Sequence, residues 1–209
     1  MIHEFFQEKR PHRGMTPFEY RRHLEEEAVR ARQRAASELD EHQKYLPLNL
    51  QRTKRIERTY AVAGELEAAV RSLSTAQLWM VLTEPWCGDS AQNLPYIVKV
   101  AACSPAVDLR VLLRDQNTDI MDRYLTNGSR SIPKLVAFDL HGNELFQWGP
   151  RPVPAAELFR RMKAECAPVE EIKLKLHLWY GRDHGKALEV EFQNLLGHPA
   201  RLLWSLEFH

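Results

Sequence analysis

Val81-Leu82-Thr83-Glu84-Pro85-Trp86-Cys87-Gly88-Asp89-Ser90 is the stretch that decides the fold. The apolar run from Leu78 to Leu82 is short enough to be a buried strand. Pro85 ends that run, and Ala91, Leu94, Ile97, Val98 and Ala101 then follow at helical spacing. Cys87 is therefore expected where a strand turns into a helix, at or next to the helix N-terminus. Unpaired backbone N–H groups and the positive end of the helix dipole point at such a position. Both stabilise a thiolate, the reactive form of cysteine.

Downstream, the helix is expected to run to about Cys103, where Ser104-Pro105 stops it. A strand from Leu109 to Arg114 follows, and a parallel crossover through the Cys87 helix would join it to the first strand. Thr118 to Leu125 reads as a short helix ending at Asn127-Gly128, a left-handed cap. Lys134 to Asp139 and Glu144 to Trp148 read as an antiparallel hairpin with His141-Gly142-Asn143 at its tip. Pro154 to Cys166 is the closing helix, with Leu158 and Met162 inward.

These residues resemble the thioredoxins, whose active site is a Trp-Cys-Gly-x-Cys turn between strand and helix. Trp86, Cys87 and Gly88 match that turn, and Ser90 stands in place of the second cysteine. Pro95 falls where the family carries a helix-kinking proline. Arg130-Ser131-Ile132-Pro133 resembles the loop whose cis-proline faces the active cysteine, and Asp115-Gln116-Asn117 fits as well. The resemblance covers about residues 60 to 166. It implies an α/β thioredoxin fold, three layers α/β/α on a mixed sheet, with helices added at both ends. In two respects the chain departs from the family. No disulfide can form inside the motif, and the position of the family's buried acid falls on Val81. That acid serves proton transfer in dithiol exchange, so its loss agrees with the loss of the second cysteine. The chain looks closer to a bacterial subfamily with an active-site turn of this kind and helical additions.

Three segments are expected: an N-terminal helical extension over 1–60, a thioredoxin-like domain over 61–167 and a C-terminal helical extension over 168–209. Residues 1–15 read as loosely ordered, with Phe5 and Phe6 available to dock. Thr16-Pro17 is a helix start, with Thr16 as N-cap. Leu24, Ala28, Ala31, Ala35 and Leu39 draw a narrow apolar stripe on the long helix that follows. A second helix, from about Asn49, carries Arg52, Lys54, Arg55 and Arg58, either an anion or nucleic-acid patch or a solvated face. Val62, Leu66, Val70 and Leu73 mark a third. After Pro168, Ile172, Leu176 and Trp179 give one helix, Gly181 to Gly185 a turn, and Leu188, Phe192, Leu195 and Leu196 another. Leu202-Leu203-Trp204-Ser205-Leu206 is apolar enough to require a packing partner.

The 209 residues carry 44% hydrophobic and 27% charged residues with a net charge of +1, which suits a soluble globular protein with no field for nucleic acid or membranes. Three cysteines make no disulfide framework, and the polar start has no apolar core of a secretory signal. The expected compartment is the cytoplasm. The nine histidines show no ligand spacing, so neither metal nor other cofactor is expected.

Cys87 reads either as a nucleophile or as a small buried hydrophobe. Its pKa is expected below the unperturbed ~8.5, with Glu84 and Asp89 limiting the drop. Ser90 either bonds the sulfur or only caps the helix, and Trp86 is a lid over the thiol or plain core. By resemblance, Ile132 and Pro133, with Gly88 and Asp89, would contact substrate. Cys103 is a poor resolving partner, since a helix of this length puts it roughly 24 Å away. Three functions fit. The first is a single-cysteine thiol–disulfide oxidoreductase, acting on a protein or low-molecular-weight disulfide with an external resolving thiol as reductant. The second is a non-enzymatic binding module using the groove beside Pro133. The third is an iron–sulfur carrier, since Cys87-Gly88-Asp89-Ser90 differs at one position from the Cys-Gly-Phe-Ser turn of single-cysteine glutaredoxins.

Overall fold

The computed structural model describes residues 2–197, so the apolar stretch Leu202 to Leu206 lies outside the described residues. Strand β1 (Gln77–Thr83) is buried along its whole length. It pairs in parallel with β2 (Val107–Leu113) and antiparallel with β3 (Lys134–Asp139), which pairs with β4 (Glu144–Trp148). The order β2-β1-β3-β4 makes a mixed sheet. The crossover from β1 to β2 is α5 (Gly88–Ala101), opened by Cys87 as N-cap.

Because side chains alternate across a strand, the sheet has two apolar faces. Trp79, Val81, Leu135 and Ala137 share one core with Leu94, Ile97 and Val100 of α5. Leu188 and Phe192 of α9 (Lys186–Gly197) enter the same core, as do Ile56 of α3 (Leu46–Thr59) and Leu66 of α4 (Gly64–Arg71). The opposite face, Leu78, Met80, Leu82, Val136 and Phe138, packs on Phe5, Phe6, Ile120, Met121 and Tyr124. Full burial of one such side chain stabilises by about 1.5–3 kcal/mol, so both faces contribute heavily.

Helix α2 (Pro17–Gln33) starts as a capping box: the Glu19 amide donates to Thr16 Oγ1 at 3.2 Å and the Thr16 amide donates to Glu19 Oε2 at 2.8 Å. Leu24, Ala28 and Ala31 pack on Leu46 and Leu50 of α3. Helix α7 (Val153–Ala164) packs on α8 (Val169–Asp183) through Ala155, Met162, Ile172, Leu176 and Tyr180.

Several expected details are corrected. Residues 4–7 form helix α1 (Glu4–Gln7), and Phe5 and Phe6 are buried, because the sheet's second face needs a cover. Helix α2 stops at Gln33, before Ala35 and Leu39; Arg34 is extended and its guanidinium folds back onto the Glu38 carbonyl. Leu39 still packs on the α2–α3 cluster. The helix expected to reach Leu125 is α6 (Thr118–Met121), after which Arg123 and Tyr124 donate to carbonyls three residues back and tighten the chain. Helix α8 runs through Gly181, and the turn is confined to left-handed His184 and Gly185.

Candidate functional site

The Cys87 turn lies at the junction of β1 and α5, as the strand-to-helix reading requires. The Ser90 amide donates to Cys87 Sγ at 3.4 Å, and the thiol donates to the Ile132 carbonyl at 3.3 Å. The Ile132–Pro133 peptide bond is cis. The Thr83 hydroxyl donates to Ser90 Oγ at 2.6 Å. Cys87, Ser90 and Ile132 are thus brought together. The sulfur is nevertheless enclosed: Cys87 is 8% exposed, Ile132 is 5% exposed and Pro133 is buried.

The expected pKa of Cys87 is corrected by this enclosure. Burial, followed by the charge of Asp89, pushes the thiol up to about 11, against the opposing bonds from Ser90. A helix N-terminus contributes about 0.3–1 kcal/mol to an anion, whereas one pKa unit corresponds to about 1.4 kcal/mol, so desolvation wins over the dipole. Glu84 turns elsewhere: its carboxylate accepts the Asp115 amide at 2.8 Å, and burial holds its pKa above the usual range.

The remaining predicted residues face other groups. Trp86 stacks on His42 with ring centroids 4.0 Å apart, and the Arg114 guanidinium sits 4.9 Å from its ring centre. Asp89 pairs with Arg151 at 2.5 Å and accepts the Tyr180 hydroxyl at 2.8 Å, while Asn93 donates to that hydroxyl at 3.1 Å. Gly88 is approached by α3 and α8. A Cβ there would lie 3.2 Å from His177 Nε2 and 3.5 Å from Arg52 Nη1. Asn49 of α3 donates to the Pro85 carbonyl at 3.0 Å. These contacts occupy the Gly88-Asp89 surface first expected to meet substrate.

Beside Pro133 the backbone of Gly149 makes a close approach. At Gly149, whose φ is +110°, a Cβ would meet the Pro133 carbonyl oxygen at 2.2 Å. Where α2 and α3 meet α5, a pocket of about 180 Å³ is lined by Tyr20, Leu24, Pro85, Ser90, Ala91 and Leu94. It is smaller than the ~300 Å³ at which drug-sized sites begin. Cys103 is half-buried and Cys166 is exposed; both are free thiols. Among the described residues no three His, Cys, Asp or Glu side chains gather where a metal ion could sit, and no helix is long and apolar enough to cross a membrane.

Sequence reasoning missed Asn49, Arg151, His177 and Tyr180. Their positions lie far from the motif along the chain, and no local pattern marks them. Arg52 and Arg55 were visible only as part of a basic run.

None of the curated proteins compared with the chain matches it. Among solved structures, a protein of unknown function from Pseudomonas aeruginosa aligns with a TM-score of 0.56 at 15% identity, covering 73% of this chain and 86% of that one. An HIV epitope-scaffold aligns with a TM-score of 0.55 at 17% identity, covering 73% and 87%. Both likenesses concern the fold. The family model described as Thioredoxin matches residues 36–163, more than half the chain and beginning inside the N-terminal helices. With its mixed sheet and its cysteine at the β1–α5 junction, the chain belongs to the thioredoxin family.

Proposed function

We propose that this protein works at neutral pH as a thioredoxin-fold binding module and not as a fast thiol–disulfide catalyst. The state of Cys87 carries the reading. Its thiol is buried, donates to a backbone carbonyl and has a pKa of about 11. At pH 7 about one molecule in ten thousand would hold a thiolate. Ser90 supplies no second thiol. The binding surface of this reading is the outer edge of the seam between α3 and α8, beside the Gly88-Asp89 turn that these helices cover. We read residues 61–167 as the thioredoxin-like body, with 1–60 and 168–209 as extensions that complete this surface. Shared burial of Ile56, Trp79 and Phe192 in one core supports that division of labour. Three free cysteines favour the cytoplasm.

A second reading keeps the single-cysteine oxidoreductase. Cys87 would be the nucleophile, Ser90 its hydrogen-bond donor and Trp86 its lid, with an external thiol resolving the mixed disulfide. The Ser90 amide aimed at the sulfur favours it, because that donor would stabilise a thiolate.

The pH dependence of Cys87 alkylation by iodoacetamide separates the two. The binding reading expects an apparent pKa near 11, well above that of an ordinary cysteine, and so at pH 7 about a hundredfold or more less thiolate than an ordinary cysteine. Exposed Cys166 should react first. A Cys87 rate that levels off below pH 8, or ready glutathionylation of Cys87 after diamide, would overturn the binding reading and install the oxidoreductase.

A further inference from the structure

We propose that Arg52, Arg55 and His177 form a site for a small oxyanion, a phosphate or carboxylate group, at the edge where α3 meets α8 beside Gly88. The proposal rests on the binding-module reading and names its ligand chemistry.

A hydrogen-bond chain fixes the tautomer of His177. Arg55 Nη2 donates to Gln92 Oε1 at 3.3 Å. Gln92 therefore turns its NH2 toward His177 Nδ1, 3.4 Å away. A donor facing Nδ1 makes that nitrogen the acceptor, so the proton of the neutral ring sits on Nε2. The ring is held neutral by burial and by the charges of Arg52 and Lys173, which bring its pKa down to about 4. His177 thus presents an N–H donor. Arg52 approaches the same side of Gly88, and the absent Cβ is what lets the imidazole and guanidinium sit together.

The charges then fail to balance. Arg52 bonds only the neutral Asn49 Oδ1, at 3.0 Å, and Arg55 only neutral Gln92. Among the described residues neither has a carboxylate partner. Asp89 is the acid whose charge reaches Arg52, but its oxygens are taken by Arg151 and Tyr180. Lys173 is matched by Glu170 at 2.7 Å. Two guanidiniums three positions apart repel, and burial together with Arg55 brings Arg52 down to about 10. By contrast, Lys54 on the same helix is neutralised by Glu25 at 2.8 Å. Half-buried Arg52 and His177, with exposed Arg55 beside them, form a group of donors without an anionic partner that suits an oxyanion, and guanidinium forks match phosphate and carboxylate geometry.

Calorimetric titration of the whole chain with inorganic phosphate, and separately with acetate, both at ionic strength fixed by chloride, tests the site. Saturable binding of either anion is expected, and which one binds distinguishes the two sources. Arg52→Gln should weaken it roughly ten- to a hundredfold, and Arg52→Lys should restore it only in part. Arg58→Gln should bind as wild type. If Arg52→Gln does not fold, exposed Arg55→Gln carries the test, with a several-fold loss expected. Equal heats with chloride alone, or unchanged affinity in the variants, would overturn the site. Neither result would alter the alkylation profile of Cys87, so failure here is separable from failure of the binding reading.

Discussion

Tyr180→Phe probes how firmly α8 is held over the Cys87 turn. Tyr180 is 5% exposed, and its ring belongs to the α7–α8 cluster, which the substitution keeps. What is lost is the hydroxyl. It donates to the Asp89 carboxylate at 2.8 Å and accepts from Asn93 at 3.1 Å. Asn93 keeps the Asp89 carbonyl at 2.9 Å, and Asp89 keeps Arg151. The loss is therefore two hydrogen bonds, one of them to a charged group, partly offset by the contacts that remain, about 2 kcal/mol. For a chain of this length that lowers the Tm by roughly 4–8 °C. Urea unfolding followed by far-UV circular dichroism at pH 7 should show a lower midpoint with an unchanged slope. A double-mutant cycle with Asp89→Asn should give a coupling of about 1 kcal/mol or more. A loss below about 0.5 kcal/mol, or a coupling near zero, would refute the idea that this polar cluster clamps the helix.

Other perturbations follow from the same geometry. Gly88→Ala places a Cβ 3.1 Å from the His177 ring and should destabilise by about 1–2 kcal/mol, with much of the loss recovered by adding His177→Ala, as thermal melts would show. Gly149→Ala combines a φ of +110° with a Cβ 2.2 Å from the Pro133 carbonyl, so it should cost about 3 kcal/mol or more and reduce soluble yield. His177 has a folded pKa near 4 against an ordinary 6.5, so its neutral form contributes stability that is complete above pH 6.5 and is lost as the pH falls toward 4. Unfolding free energies from urea titrations should therefore fall further between pH 7 and pH 4.5 in wild type than in His177→Gln, by an amount on the order of 2 kcal/mol after allowance for partial exposure.

The strand, the cysteine turn and the following helix were legible because their signals are local. An apolar run, a proline and a helical repeat sit side by side in Leu78 to Ala101. The Thr16 cap was legible for the same reason. The environment of Cys87 was not, since the groups that close over its turn come from Asn49 and Arg52 on one side and His177 and Tyr180 on the other. The helix end that favours a thiolate is visible in the sequence, whereas the desolvation that opposes it is not. Arg52 and Arg55 could not be separated from Lys54 and Arg58 before the facing direction of α3 was known. Phe5 and Phe6 sit on a single turn of helix, too short for any periodicity to appear.

The meeting of Met15 with Val111 bears on how the edge of the sheet is covered. Strand β2 lies at the border of the sheet, where an open row of amides and carbonyls is a template for pairing with another chain. The Met15 amide donates to the Val111 carbonyl at 2.9 Å, and the Val111 amide donates back at 2.8 Å. The border is thus answered at its middle by the chain's own leading segment. Gly14 fits there closely, since a Cβ would lie 2.6 Å from Leu112 Cδ1. The residues ahead of α2 therefore cover the middle of that border, and a shortened form that begins at Thr16 would display the half-apolar edge of β2.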